Sequence, residues 1–185
     1  LVIACNTAST LALQIVREVL PIPVVGTVPA IKPAAQMTRT GVIGVLATPG
    51  TLRRAYTDAL VHEFARDRTV LTYGSVQLVE LSERRAAGYP VSDEEIKAEL
   101  DQLFLQPAGD LIDTVVLACT HFPLLRADLE RLSPPGISFI DSGDAIARRT
   151  LNVLGDIRAG ALSGPETLYI SQTDAPYTRL ETVAR

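Results

Sequence analysis

The chain has 185 residues, 47% hydrophobic and 21% charged, with a formal net charge of −4. That size suits one compact domain or two small ones with ample apolar content for a core. The acidic balance argues against a nucleic-acid binder, two cysteines are too few for a disulfide scaffold, and no apolar run approaches the roughly 20 residues of a membrane-spanning helix, so we expect a soluble, cytoplasmic protein.

Short β-branched runs alternate with longer helical patterns, as in βαβ proteins with parallel strands. Residues 1–4 read as a strand. Because the chain opens inside what reads as a buried strand, with no Met and no basic start, we expect a fragment rather than a leader sequence. Asn6 or Thr7 is expected to cap a helix over residues 8–20, with Leu11, Ile15 and Val19 on one stripe. A strand follows at 22–25, then a helix carrying Ile31, Ala34 and Ala35. A third strand, 42–46, leads into Thr48-Pro49-Gly50-Thr51, which opens a helix through Leu60 and Phe64. Residues 70–73 form another strand, followed by a helix around Leu78, Leu81 and Ser82.

Ser92 and Glu95 have capping-box spacing, in which each side chain bonds the other's amide. The helix they start ends near Phe104. Residues 115–118 are an apolar strand, and Pro123 sits in the first turn of the next helix, where its missing N–H does no harm. The remaining strands are 137–140 and 168–170, with a helix over 144–154 between them. The fold class is therefore α/β, doubly wound.

The two cysteines stand in matching contexts. Ala4-Cys5-Asn6-Thr7 and Ala118-Cys119-Thr120-His121 each read as a strand end, a thiol, a polar pair and a helix start. Ligands of open parallel sheets bind beyond the carboxyl ends of the strands. A helix N-terminus there favours a thiolate, lowering its pKa below the ordinary value of about 8.5. Asn6, Thr7, Thr120 and the adjacent amides are suited to grip a small carboxylate. For either cysteine alone an ordinary buried thiol is the better reading; it is the matched pair of contexts that points to a site.

With only His62 and His121 available, no cluster has metal-ligand spacing, and we expect no metal. His62 lies mid-helix and reads as a surface or packing residue. Lys32 and Lys97 are the only lysines, and neither suits a Schiff base; no phosphate-cradling glycine motif follows a strand. We expect no cofactor. The 48–51 turn and Asp141-Ser142-Gly143-Asp144 both read as caps first and site elements second.

Ala4-Cys5-Asn6-Thr7-Ala8-Ser9, Gly44-Val45-Leu46-Ala47-Thr48-Pro49-Gly50-Thr51, Leu117-Ala118-Cys119-Thr120-His121-Phe122-Pro123-Leu124-Leu125 and Asp141-Ser142-Gly143 resemble bacterial glutamate racemases in that family's order. The similarity runs from Leu1 to about Leu154. His121 is the glutamate-type residue; aspartate racemases usually carry Glu there. The resemblance implies two pseudo-symmetric α/β domains facing each other across a cleft. Residues 1–30 and 142–185 would be the remainder of a truncated first domain, and 31–141 the second.

The implied activity is cofactor-independent interconversion of L- and D-glutamate, supplying D-glutamate for peptidoglycan. By position, Cys5 resembles the base that acts on D-glutamate and Cys119 its counterpart for the L-isomer, with His121 assisting. Asn6, Thr7, Thr120 and His121 match substrate contacts; Thr48 and Glu83 lie near the pocket in relatives, Glu83 placed to orient His121. A homodimer and activation by a cell-wall precursor remain open, as do another amino-acid racemase of the superfamily and a non-catalytic domain. The family's opening third, with an Asp-Ser-Gly motif and a Tyr-Gly pair, has no counterpart here, so the isolated chain is expected to be inactive.

Overall fold

The computed structural model describes residues 1–155. In chain order the elements are β1 (Val2–Ile3), α1 (Asn6–Val19), β2 (Val25–Gly26), α2 (Ile31–Met37), β3 (Val42–Ala47), α3 (Pro49–Leu52), α4 (Ala55–Phe64) and β4 (Thr69–Gly74). They continue with α5 (Gln77–Ala86), α6 (Asp93–Phe104), β5 (Thr114–Ala118), α7 (Arg126–Leu132), β6 (Ser138–Ile140) and α8 (Gly143–Leu154). Short 3₁₀ turns lie at Gly109–Leu111 and Phe122–Leu125.

The larger sheet has strand order β4-β3-β5-β6, all parallel. Every residue of β3 and β5 is buried, because helices cover both faces. Strands covered on both sides carry unbroken apolar runs rather than alternation. On one face, Leu78 and Leu81 of α5, Ile96, Leu100 and Leu103 of α6 and Leu129 of α7 pack against Leu46, Val115 and Leu117. On the other, Ile31 and Ala34 of α2, with Leu60 and Phe64 of α4, meet Ile43, Val45 and Val116. Gly44 interrupts β3 for a packing reason: a Cβ there would stand 2.8 Å from Leu103 Cδ2. The Ser92–Glu95 capping box forms as expected, Glu95 N donating to Ser92 Oγ at 3.2 Å and Ser92 N to Glu95 Oε2 at 3.0 Å.

The smaller sheet is the parallel pair β1–β2, with Val2 opposite Val25 and Ile3 opposite Gly26. Here the structure departs from several expectations. The second strand is Val25–Gly26 rather than 22–25, since Pro21 and Pro23 lack the N–H a ladder needs. Leu1 and Val2 are exposed rather than buried, and the Leu11, Ile15 and Val19 stripe is 52%, 63% and 72% exposed. A two-stranded ladder is too narrow to cover a helix face among the described residues. The helix expected over 51–64 breaks at Arg53 and Arg54 into α3 and α4; Thr57 Oγ1 donates to the freed Thr51 carbonyl at 2.7 Å. Pro123 lies in a 3₁₀ turn ahead of α7. The strand expected at 168–170 lies outside the described residues. No described helix is long and apolar enough to cross a membrane.

Candidate active site

Each cysteine follows the carboxyl end of a parallel strand, and one hydrogen bond joins the two ends. Thr120 Oγ1 donates to the Ala4 carbonyl at 3.0 Å. The residue before Cys5 is therefore tied to the residue after Cys119, so the sequence separation between the thiols collapses at the junction of the sheets.

Cys5 itself caps α1, correcting the expectation for Asn6 or Thr7: its Sγ accepts from Ala8 N at 3.4 Å. Asn6 and Thr7 start the helix proper, and their side chains turn to other partners. Asn6 is buried, and its Nδ2 finds no hydrogen-bond partner. An amide in that state carries an uncompensated desolvation cost, which a ligand oxygen would relieve. Thr7 Oγ1 lies 2.8 Å from Thr48 Oγ1 and 2.9 Å from Thr51 Oγ1, and those two are 3.1 Å apart. Three hydroxyls close a ring that ties α1 to α3. Thr48 also caps α3, accepting from Thr51 N at 3.3 Å.

Asn6, Cys119 and Thr120 line one cavity of about 230 Å³, together with Thr27, Asp141, Ser142 and Gly143 and the apolar Leu117, Pro123 and Ile146. Cys5, Thr7, Thr48, His121 and Glu83 are not on its wall. They are connected to it through their neighbours. His121 Nδ1 lies 3.8 Å from Cys119 Sγ, and its Nε2 is 2.7 Å from Glu83 Oε1.

Cys119 corrects the expectation of a lowered pKa. Burial pushes its thiol above the ordinary value; the amides of His121 and Phe122 pull the other way, and a negative charge on nearby Cys5 adds to the rise. A 3₁₀ turn rather than a long helix follows it, so the dipole that was expected to favour the thiolate is weak.

Thr27 belongs to this region although the sequence reading did not assign it to the site, and Thr51, Asp141 and Ser142, read there as cap residues first and site elements second, belong to it as well. Thr27, buried just past β2, donates its hydroxyl to Ile3 O at 2.9 Å and its amide N–H to Ser9 Oγ at 2.9 Å. Its place after a strand end was the available signal, and Thr51 stood one turn from Thr48. His62 is exposed, Lys97 pairs with Asp101, and Lys32 lies 5.2 Å over the Phe64 ring. Among the described residues, no three His, Cys, Asp or Glu side chains converge as a metal ion would require.

The chain is 49% identical over 173 residues to a glutamate racemase of Sphingopyxis alaskensis, covering 94% of this chain and 65% of that protein. It is 50% identical over 166 residues to the glutamate racemase of Klebsiella pneumoniae, covering 89% of this chain and 58% of that one. The crystal structure of Escherichia coli glutamate racemase, in complex with L-glutamate and the activator UDP-MurNAc-ala, superposes with a TM-score of 0.78 at 48% identity, covering 83% of this chain and 57% of that one. The chain thus spans between half and two thirds of the length of these relatives. Residues 1–150 match the profile of the Asp/Glu/Hydantoin racemase family, and with the paired strand-end cysteines in that span, the chain belongs to this family.

Proposed function

We propose that this chain carries the two-cysteine centre of a glutamate racemase, which interconverts L- and D-glutamate without a cofactor and supplies D-glutamate for peptidoglycan. The observation that carries this reading is the hydrogen bond from Thr120 to Ala4, which brings both cysteine-bearing strand ends to one junction. The family membership and the glutamate racemase relatives support it. In this reading residues 1–30 and 142–185 form one α/β unit and 31–141 the other, with the junction between them as the catalytic cleft.

Inversion at Cα needs a base on one face of the carbon and an acid on the other. Cys5, as thiolate, takes the α-proton of D-glutamate. Cys119, kept protonated by its burial, delivers a proton to the opposite face, leaving L-glutamate and the two sulfurs with exchanged protonation. For the L-isomer Cys119 must first lose its proton. With Glu83 accepting Nε2–H of His121, the neutral ring presents the Nδ1 lone pair toward Cys119 Sγ, ready to receive it. The orphaned Asn6 amide, with the hydroxyls of Thr7, Thr48 and Thr120, would hold the carboxylates as charge develops at Cα. The E. coli neighbour binds L-glutamate and an activator, UDP-MurNAc-ala; by that likeness we assign L-glutamate as substrate and a cell-wall precursor as activator.

The test follows inversion and Cα–H exchange of both glutamate enantiomers in deuterium oxide, in the complete protein rather than in this chain alone. Inverted product should carry solvent deuterium, and Cys5→Ala or Cys119→Ala should each lower inversion by about 10³-fold or more. Preferential turnover of aspartate would overturn the substrate assignment. Inversion at full rate in either single variant would overturn the two-base mechanism.

A further inference from the structure

Two stretches of chain cross from one sheet to the other beside the cavity: 27–30, between β2 and α2, and 141–142, between β6 and α8. Ser142 Oγ donates to Val28 O, so the crossings are tied together. Asp141, in the second crossing, divides its carboxylate between the two sides. Oδ1 accepts from Gly143 N, the first residue of α8, at 2.7 Å. Oδ2 accepts from Arg126 Nη1, the first residue of α7, at 2.8 Å.

Arg126 is itself fully engaged: Nε donates to Glu130 Oε1 at 3.0 Å and Nη2 to the Phe139 carbonyl. It therefore offers Asp141 a fixed anchor. Its short segment begins at Cys119, whereas α8 packs on β2, the partner of the strand leading into Cys5. One carboxylate thus links the backbone that carries Cys119 to the layer that carries Cys5. Asp141 is only 24% exposed at its side chain, and a charge-assisted bond there is stronger than one between neutral groups.

We propose that the Arg126–Asp141 pair is a positioning pin that sets the spacing between the two catalytic sulfurs, a role that rests on the two-cysteine reading above. A proton must leave one face of Cα and arrive on the other, so both sulfurs must hold their places around one carbon. A displacement of about 1 Å costs on the order of 100-fold in rate. If the pin loosens, the carbanion is reprotonated by the sulfur that took its proton, after that thiol has exchanged its proton for deuterium from solvent. Exchange then continues with retention while inversion falls.

The experiment, in the complete protein rather than in this chain alone, compares Asp141→Asn and Arg126→Gln with the unsubstituted protein. Each change removes the ion pair, and Asp141→Asn keeps an oxygen for Gly143 N. Two readouts are taken: the ratio of deuterium exchange with retention to inversion of glutamate, and the yield of cross-linking of Cys5 to Cys119 by a bifunctional bimane that fluoresces once both arms are alkylated. The expected result is a rise of the exchange-to-inversion ratio by about 10- to 100-fold, with a lower cross-link yield and single alkylation unchanged. A fall in melting temperature with both readouts unmoved would make the pair merely structural and overturn the proposal.

If the unsubstituted protein does not racemise glutamate, the functional reading fails and the cross-link decides the pin alone. No cross-link in the unsubstituted protein, or equal yields in all three proteins, then overturns it.

Discussion

At the scale of single residues, the site rests on groups whose local surroundings oppose their ordinary chemistry. Cys119 is 7% exposed and its thiol is pushed up chiefly by burial, which favours an acid in the resting state over a nucleophile. Because the thiolate is the species that alkylates, Cys119 should react with iodoacetamide more slowly than a free thiol at neutral pH. Its rate should climb only above the ordinary thiol range, which peptide mapping across pH would follow. A rate profile centred at or below about pH 8.5 would contradict the burial argument. The polar pairs after each cysteine were visible in the sequence, where they were expected to grip a carboxylate. Their division of labour was not: Asn6 is left without a partner, Thr7 is bound into a hydroxyl ring, and Cys5 takes the cap. Those outcomes depend on which side chains arrive from α3 and β5, far along the chain.

At the scale of elements, local rules succeed where a signal is short-ranged. The Ser92–Glu95 box forms because both partners lie within one turn, and β3 and β5 form where apolar runs are unbroken. They miss where the backbone is held by distant packing. Ala108 adopts φ 65° and ψ 11°, the left-handed region, just before Gly109, which lies so close to α6 that an added Cβ would stand 2.2 Å from the Phe104 carbonyl oxygen. A left-handed alanine costs about 1–2 kcal/mol, of which a glycine's extra unfolded entropy offsets about 0.4–1 kcal/mol. Ala108→Gly should therefore raise stability by up to about 1 kcal/mol. Gly109→Ala should lower it by about 1–3 kcal/mol, because the obstructing atom is backbone and cannot move aside. Urea titration of the two variants checks both signs, and a loss in Ala108→Gly would refute the strain. The break between α3 and α4 belongs to the same class: nothing at Arg53 or Arg54 forbids a helix, and it is the Thr51–Thr57 contact that accompanies the turn.

At the scale of the whole molecule, ionisable groups define a stability plateau. Tyr73 donates its hydroxyl to Glu99 Oε2 at 3.0 Å. Burial first, then that bond and the carboxylate's charge, raise its pKa to about 12. A raised folded-state value means its contribution is complete below the unfolded value of about 10 and is lost as pH climbs through about 12; Cys119 shifts in the same direction. On the acid side, Asp113 is held low: burial works against this, but bonds from Thr38, Arg39 N, Thr40 N and Thr114 outweigh it. Its contribution is present above the unfolded carboxylate value and fades as pH falls through the lowered one. Stability against urea should thus be flat near neutrality and decline between about pH 10 and 12. Tyr73→Phe should start lower by about 0.5–1.5 kcal/mol and decline less steeply. An unchanged alkaline slope in that variant would remove Tyr73 from the account.

The sequence alone determined the alternation of strands and helices, the parallel order it implies and the matching strand-end cysteines. These follow from apolar periodicity and from residue types within a few positions of one another. Only the tertiary structure decided that the two strand ends meet, that burial raises the Cys119 thiol where a helix dipole was expected to lower it, and that Asp141 bonds both Arg126 and Gly143. Burial, and hydrogen bonds between residues as far apart as 4 and 120, arise only when separate elements pack. No spacing along the chain encodes them.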